Sequence, residues 1–370
     1  MRDLTLADFP FMASLAASDD LKDRRIWLRV ASDYFVAAEP SDADAIARFA
    51  DAMAAQLDAA DPPTRIDIAR RLAPCRRTPL RLLMKLAASD AETSDYVLEH
   101  ATAFTSGFLS SLIAKGGRGA IAVAKRKDLP SALQRALADS ADVEALIALA
   151  RNGEARLDSA ALMRATALAR QRADAAGDLR LAKALLARRP VRPEISALFL
   201  HADGDERVEI LLAAQRMQLA RPPGAPPAHA EGLDALELAA VARQPDRFVA
   251  ALAEALGCGP DLAQQIAVDP SGEPLAVALT ALGAPNEVMV RVLISNDLLA
   301  GASYRRIGAL ARLNNALNRN AAAAVVAALR DGGVKRESAR ADFKGQTPDP
   351  RAVALRPAVR TVAAPHRARA

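Results

Sequence analysis

Aromatic side chains are scarce in this 370-residue sequence: nine Phe, three Tyr and one Trp make up 4% of it. Sheet cores draw on aromatic and β-branched residues, so this scarcity argues against a β-rich fold. Cysteine is scarcer still. Cys75 and Cys258 lie 183 positions apart and belong to no CxxC or CxxH pattern. That excludes a disulfide framework and a zinc finger, and fits two small apolar side chains in a reducing compartment. The four histidines are His100, His201, His229 and His366, and no HExxH or GxSxG motif occurs. His100 and His201 each end a helical stretch, where an imidazole suits the helix dipole. The sequence therefore nominates no catalytic residue, no metal ligand and no cofactor, and a non-enzyme is the expectation. Long hydrophobic runs are missing too, with no stretch of about 18 uncharged apolar residues to span a bilayer. The first residues carry Asp3, Asp8, Asp19 and Asp20 in place of a basic segment before an apolar one, unlike a secretory signal. The expected location is the cytoplasm, with no membrane partner.

What is present is helix-forming. Hydrophobic residues make up 51% and charged residues 25%, and Ala and Leu, both strong helix formers, supply most of the apolar positions. Small Ala side chains also let helices approach closely. The net charge of +5 has a local origin: residues 331–370 hold nine Lys/Arg against four acids, which equals the whole excess. The body of the chain is neutral, so the basic balance describes a tail and not a folded nucleic-acid surface.

Breakers divide the chain into short helical segments. Five of the thirteen aromatics, Phe9, Phe11, Trp27, Tyr34 and Phe35, lie in residues 1–40. There the pattern predicts a capping helix over Leu21–Ala38 with Ile26, Val30 and Tyr34 on one face. Residues 41–219 alternate helices with signals such as Asp61-Pro62-Pro63, Pro74, Gly116-Gly117, Pro130, Asn152-Gly153 and Pro190. The apolar starts Ile68, Val97, Ile121 and Leu146 are separated by 29, 24 and 25 residues, and Leu181 follows 35 later. Three units share an apolar-Ala pair, then basic residues, a proline and a Leu-rich helix. Units of this size cannot bury an apolar face alone and must stack, which is the logic of a helical solenoid. Residues 220–231 hold the linker Arg221-Pro222-Pro223-Gly224-Ala225-Pro226-Pro227, too proline-rich to continue a helix. Residues 232–330 then read as a second, C-terminal helical subdomain. Within it Val288–Ile294 is β-branched enough to suggest a strand, but its flanks favour a buried helix. After Gly332-Gly333 the apolar periodicity stops, and residues 331–370 are expected to be a disordered basic tail.

The pattern from Ile68 to Met217, with the later run Ala255-Leu256-Gly257 and Ala267-Val268-Asp269-Pro270-Ser271-Gly272-Glu273-Pro274-Leu275-Ala276-Val277, resembles a family of bacterial proteins. That family is defined by an uncharacterised conserved domain built of HEAT-like helical repeats. The resemblance covers about residues 40–330. It implies an all-α fold of HEAT-like repeats forming a solenoid, and it implies no activity.

Three features compete for function. Gly116-Gly117-Arg118-Gly119 precedes a helix and could offer N–H groups to a phosphate, but it lacks a preceding strand and the Lys-Ser/Thr of a P-loop. A turn between helices is the plainer reading. Asp269-Pro270-Ser271-Gly272-Glu273 could hold a ligand, although Ser271 is well placed to cap the next helix. The basic clusters Arg70, Arg71, Arg76 and Arg77, then Lys125, Arg126 and Lys127, then Arg188 and Arg189 recur at equivalent points. Cations near helix C-termini are their structural reading. The functional expectation is a ridge, formed by stacking, that binds a protein partner with acidic character. Nucleic acid held by the ridge and tail is the alternative, weakened by the absence of aromatics beside the clusters.

Overall fold

The computed structural model describes residues 15, 18, 20–38, 42–140, 142–219, 232–295 and 304–344; of 304 and 332–344 only the backbone course is described. Among the described residues the protein is all-helical, with nineteen α-helices, one 3-10 helix and no strand. Their order is α1 (Leu21–Ala38), α2 (Ala43–Asp58), α3 (Pro62–Leu72), α4 (Leu80–Ala87), α5 (Ala91–His100), α6 (Ser106–Lys115) and α7 (Gly117–Ala124). Then come α8 (Ser131–Asp139), α9 (Val143–Arg151), α10 (Ser159–Ala176), α11 (Arg180–Leu186), the 3-10 helix Pro193–His201 and α12 (Gly204–Leu219). The C-terminal part holds α13 (Leu233–Val241), α14 (Pro245–Leu256), α15 (Pro260–Val268), α16 (Glu273–Leu282), α17 (Asn286–Ser295), α18 (Tyr304–Ala316) and α19 (Arg319–Lys344).

The helices start where the sequence supplies acceptors for their free N–H groups. Asp42, Asp90, Asp142 and Asp158 each accept from the first turn of α2, α5, α9 and α10, and Thr105 does so for α6. Such caps contribute about 1 kcal/mol each. Pro62, Pro245 and Pro260 open α3, α14 and α15, where the missing donor is not needed.

Helices up to the 3-10 segment lie in two rows. In the first row α1, α3, α5, α7, α9 and α11 each pack on the next. In the second, α2 packs on α4, and after a break α6, α8, α10 and the 3-10 helix follow one another. The sequence markers map onto the first row: Ile68, Val97, Ile121, Leu146 and Leu181 lie in α3, α5, α7, α9 and α11. Four of them are buried and Ile121 is half-buried. Buried apolar side chains from Leu15 to Leu329 form one contiguous cluster.

The C-terminal helices do not stand apart. Helix α16 is buried on nearly all sides, from Pro274 through Leu282, as suits an element apolar all round. Helix α19 packs on α16, on α12 and on the 3-10 helix. Gly283 ends α16 at φ 78°, and a Cβ there would collide with the guanidinium of Arg319. That guanidinium in turn donates to the carbonyls of Ala281 (3.2 Å) and Leu282 (3.0 Å).

Several local expectations need correction. Helix α1 buries Trp27, Leu28, Ala31 and Phe35, while Ile26 and Val30 are exposed. Packing against α2 and α3 selects the buried stripe, and Phe35 stacks on Phe49 at 4.0 Å between centroids. Residues Pro193–His201 form the 3-10 helix. Val288–Ile294 is helical, as the flanks predict. The backbone of α19 runs helically through Gly332-Gly333 to Lys344. Phe9, Phe11, the proline-rich linker and residues 345–370 lie outside the described residues.

Candidate interaction face

The carbonyls that end an α-helix have no partner within it, and in the first row the next unit supplies one. Arg126, just after α7, donates to Leu98 O and Ala101 O at the end of α5, both at 2.6 Å. Asn152, just after α9, donates through Nδ2 to Ala124 O (3.0 Å) and Arg126 O (2.7 Å) at the end of α7. Arg188, just after α11, donates to Leu149 O (3.1 Å), Ala150 O (2.8 Å), Asn152 O (2.8 Å) and Ala155 O (2.6 Å) at the end of α9. After α5, the Thr102 N–H donates to Ala73 O (3.2 Å) beyond α3. Each unit thus closes the C-terminus of its predecessor. Burial pushes the Arg126 guanidinium below its ordinary pKa against the pull of Asp128 and Glu99. Burial lowers Arg188 likewise, helped by the charge of Arg192.

On the surface of the same row, charges pair from helix to helix. Arg29 of α1 meets Asp67 of α3 at 3.3 Å, Arg70 of α3 meets Glu92 of α5 at 3.6 Å, and Arg180 of α11 meets Glu144 of α9 at 2.6 Å. Arg118 of α7 grips Asp95 of α5 through two bonds of 2.6 and 2.9 Å. Between α7 and α9 the link is the Gly117 N–H to Asp142 Oδ2 at 2.8 Å, so the glycine turn gives its N–H to the chain's own carboxylate. Exposed pairs like these contribute little individually. What they fix is register.

The predicted basic residues divide accordingly. Arg71 is half-buried between Asp33 and Asp67 and Arg126 and Arg188 close helix ends; these three serve the stack. Arg70 is paired with Glu92 and lies 6.0 Å over the Tyr96 ring. Arg76 and Arg77 are exposed in the turn between α3 and α4. Arg189 is exposed and donates to Leu186 O (2.8 Å) and to the carbonyl of Arg188 (3.0 Å). Lys125 and Lys127 are exposed and border a groove between α7 and α9 with Glu99, Glu144, Arg151 and Glu154. Among the described residues, Lys125, Lys127 and Arg151 enter no ion pair. Arg151 also borders the next groove, between α9 and α11, beside Arg180, Lys183 and Asp178. Hydrogen bonds from Arg180 and Arg172 hold the Asp178 carboxyl down at about 2. The ridge residues thus do not form one patch. They separate into a bonded set and an open set centred on α7 and α9.

Sequence reasoning missed the site that joins the two halves. Arg207 of α12 is buried over the Phe199 ring at 5.5 Å and donates to Asp269 (2.8 Å), Ser271 (2.6 Å) and Glu273 (3.1 Å) at the entry to α16. The run Asp269-Pro270-Ser271-Gly272-Glu273 therefore binds a guanidinium from its own chain, while Ser271 Oγ accepts from the Glu273 N–H at 3.0 Å. Burial works to raise the Asp269 carboxyl, but the bonds from Arg207 and Ser271 and the Arg207 charge carry it below the usual range. Nearby, Arg170 donates to Leu329 O of α19, and Asp174 bridges Arg170 (3.6 Å) and His201 Nε2 (3.0 Å). His100 Nδ1 lies 3.0 Å from Tyr96 O and its ring stacks on Tyr96. Among the described residues no three His, Cys, Asp or Glu side chains gather as a metal site, and no helix is long and apolar enough to cross a membrane.

A family model described as an uncharacterised protein conserved in bacteria (DUF2336) matches residues 93–327. The match begins in α5, next to the break in the second row between α4 and α6, and ends in α19. No curated protein and no solved structure matches the chain.

Proposed function

The chain belongs to the DUF2336 family of bacterial proteins, and on that premise we propose that it is a non-catalytic, cytoplasmic helical-repeat scaffold that binds another protein. The two rows support reading residues 41–219 as a solenoid of HEAT-like units, each too small to bury its apolar face alone. Non-catalytic action is supported by how the ionisable side chains are used. They hold helix ends, pair across neighbouring helices or join the C-terminal half, and His100 and His201 have partners of this kind.

The observation that carries the binding reading is the open set. On a row where most charges are paired, Lys125, Lys127 and Arg151 stand unpaired around the α7–α9 groove. The acids beside them are partly engaged: Glu144 accepts from Arg180, and Glu99 lies 3.8 Å from His100. The partner that fits is a protein segment bearing acidic side chains. It would lie across the ends of α7, α9 and α11.

Capture from native lysate tests this. The wild-type chain should retain a protein that Lys125→Gln/Lys127→Gln/Arg151→Gln loses by about tenfold or more, the scale of two or three charge-assisted contacts. A control triple variant on the second row, Arg48→Gln/Arg81→Gln/Arg164→Gln, should keep it. Equal capture by both variants contradicts the reading. Loss of capture after nuclease treatment, with a steep salt slope, would transfer the function to nucleic acid.

A further inference from the structure

The loop that follows α11 folds over the α9–α10 connection and leaves a cleft of about 460 Å³. Four arginines line it: Arg156, Arg188, Arg189 and Arg192. Its remaining walls are Leu157, Leu162, Leu185, Val191 and Ile195 with Gly153, Ala155 and Pro190. No hydroxyl, amide or aromatic side chain reaches it.

The charges in this cleft are badly balanced. Glu194 answers Arg192 at 2.6 Å. Arg156, Arg188 and Arg189 have no carboxylate partner among the described residues. Arg188 is half-buried, and desolvation and the neighbouring Arg192 both work against its charged form. A guanidinium does not shed its proton in a protein, so that cost stays in the folded chain until an anion enters. Donors remain for such an anion. Arg188 spends only its two terminal nitrogens on carbonyls. Arg189 uses only Nη1, and Arg156 is exposed and unbonded.

We propose that this cleft binds a small amphiphilic anion, a carboxylate or phosphate monoester on a short aliphatic body. The guanidiniums supply the planar fork that matches either head group. The aliphatic walls take the body, and the volume falls within the range of small-molecule sites. A nucleotide does not fit, because no aromatic ring is there to stack a base. A sugar does not fit either, because the walls offer its hydroxyls no partner. The site meets the α7–α9 groove at Gly153 and shares none of its charged side chains.

Calorimetric titration of the full chain with octanoate and with octyl phosphate tests it, with octanol and inorganic phosphate as the two halves of the ligand. Saturable binding of at least one amphiphile at one site is expected, with either half alone binding at least about tenfold more weakly. Arg156→Gln/Arg189→Gln should weaken the amphiphile by about tenfold or more. This variant keeps the Arg188 bonds to α9, so its thermal midpoint should stay at the wild-type value, and its lysate capture should stay intact. No saturable binding of either amphiphile, equal binding of octanol or of inorganic phosphate, or unchanged affinity in the double variant overturns the proposal.

Discussion

Arg188 shows how much one side chain does in this chain. Its guanidinium gathers four carbonyls at the end of α9, groups that neither the helix nor solvent would satisfy equally well. Replacing it with Met removes charge-assisted bonds and strands buried acceptors, at a cost of roughly 2–4 kcal/mol. At this chain length the thermal midpoint should fall by roughly 3–5 °C. Arg188→Lys should recover only part of that, since an ammonium cannot reproduce a fork spread over four oxygens. Calorimetry on the two variants checks the order: a Lys variant as stable as wild type would mean that charge near the dipole suffices. The sequence pointed to Arg126 and Arg188 as cations near helix C-termini. Which termini they serve was not legible, because a basic residue after a helix reads the same whether it caps its own helix or the one before. In the sequence Asn152 marks only a helix stop, and its side-chain bonds to the previous unit have no local signature.

Whole elements were easier to read than their contacts. The apolar starts at Ile68, Val97, Ile121, Leu146 and Leu181 fall on successive first-row helices, because every such helix must bury an apolar stripe at the same point of its unit. The second row left no comparable spacing, since its helices vary in length and the row breaks between α4 and α6. The capping residues Thr102, Arg126, Asn152 and Arg188 come five to seven residues after their unit's marker, so the two ladders share one rhythm. In α1 the period was right and the buried face was not. Leu28, Ala31 and Phe35 repeat as regularly as Ile26, Val30 and Tyr34, and only packing against α2 and α3 chooses between them. The junction between α12 and α16 was invisible for a different reason: Arg207 and Asp269 are 62 residues apart, and no periodicity links them. This junction carries a pH dependence. The Asp269 carboxyl is held below its ordinary value of 3.8, so its contribution is present above about pH 4 and lost as pH falls through the folded-state value. Between pH 7 and pH 3 the wild type should lose more thermal stability than Asp269→Asn, which starts lower at pH 7. Parallel pH curves for the two proteins would show that the ion pair does not hold the halves together.

At the scale of the molecule, the C-terminal helices complete the stack. Helix α19 lies against the 3-10 helix and α12, which are the last members of the N-terminal array. Arg170 and Arg207 tie that contact with bonds to Leu329 O and to the Asp269 and Glu273 carboxylates. A buried ion pair of this kind adds little net stability over an apolar contact but is costly to break. An apolar surface at the end of the two rows is thereby covered. The surface proposed for a partner is the first row, with α7, α9 and α11 carrying the open grooves. Hydrogen–deuterium exchange on the full chain, free and with its captured partner, tests that directly. Binding should slow exchange together at the C-terminal turns of α7, α9 and α11 while α4 and α8 stay unchanged. Slowing confined to the second row, or to a single isolated helix, would contradict a face built across neighbouring first-row helices.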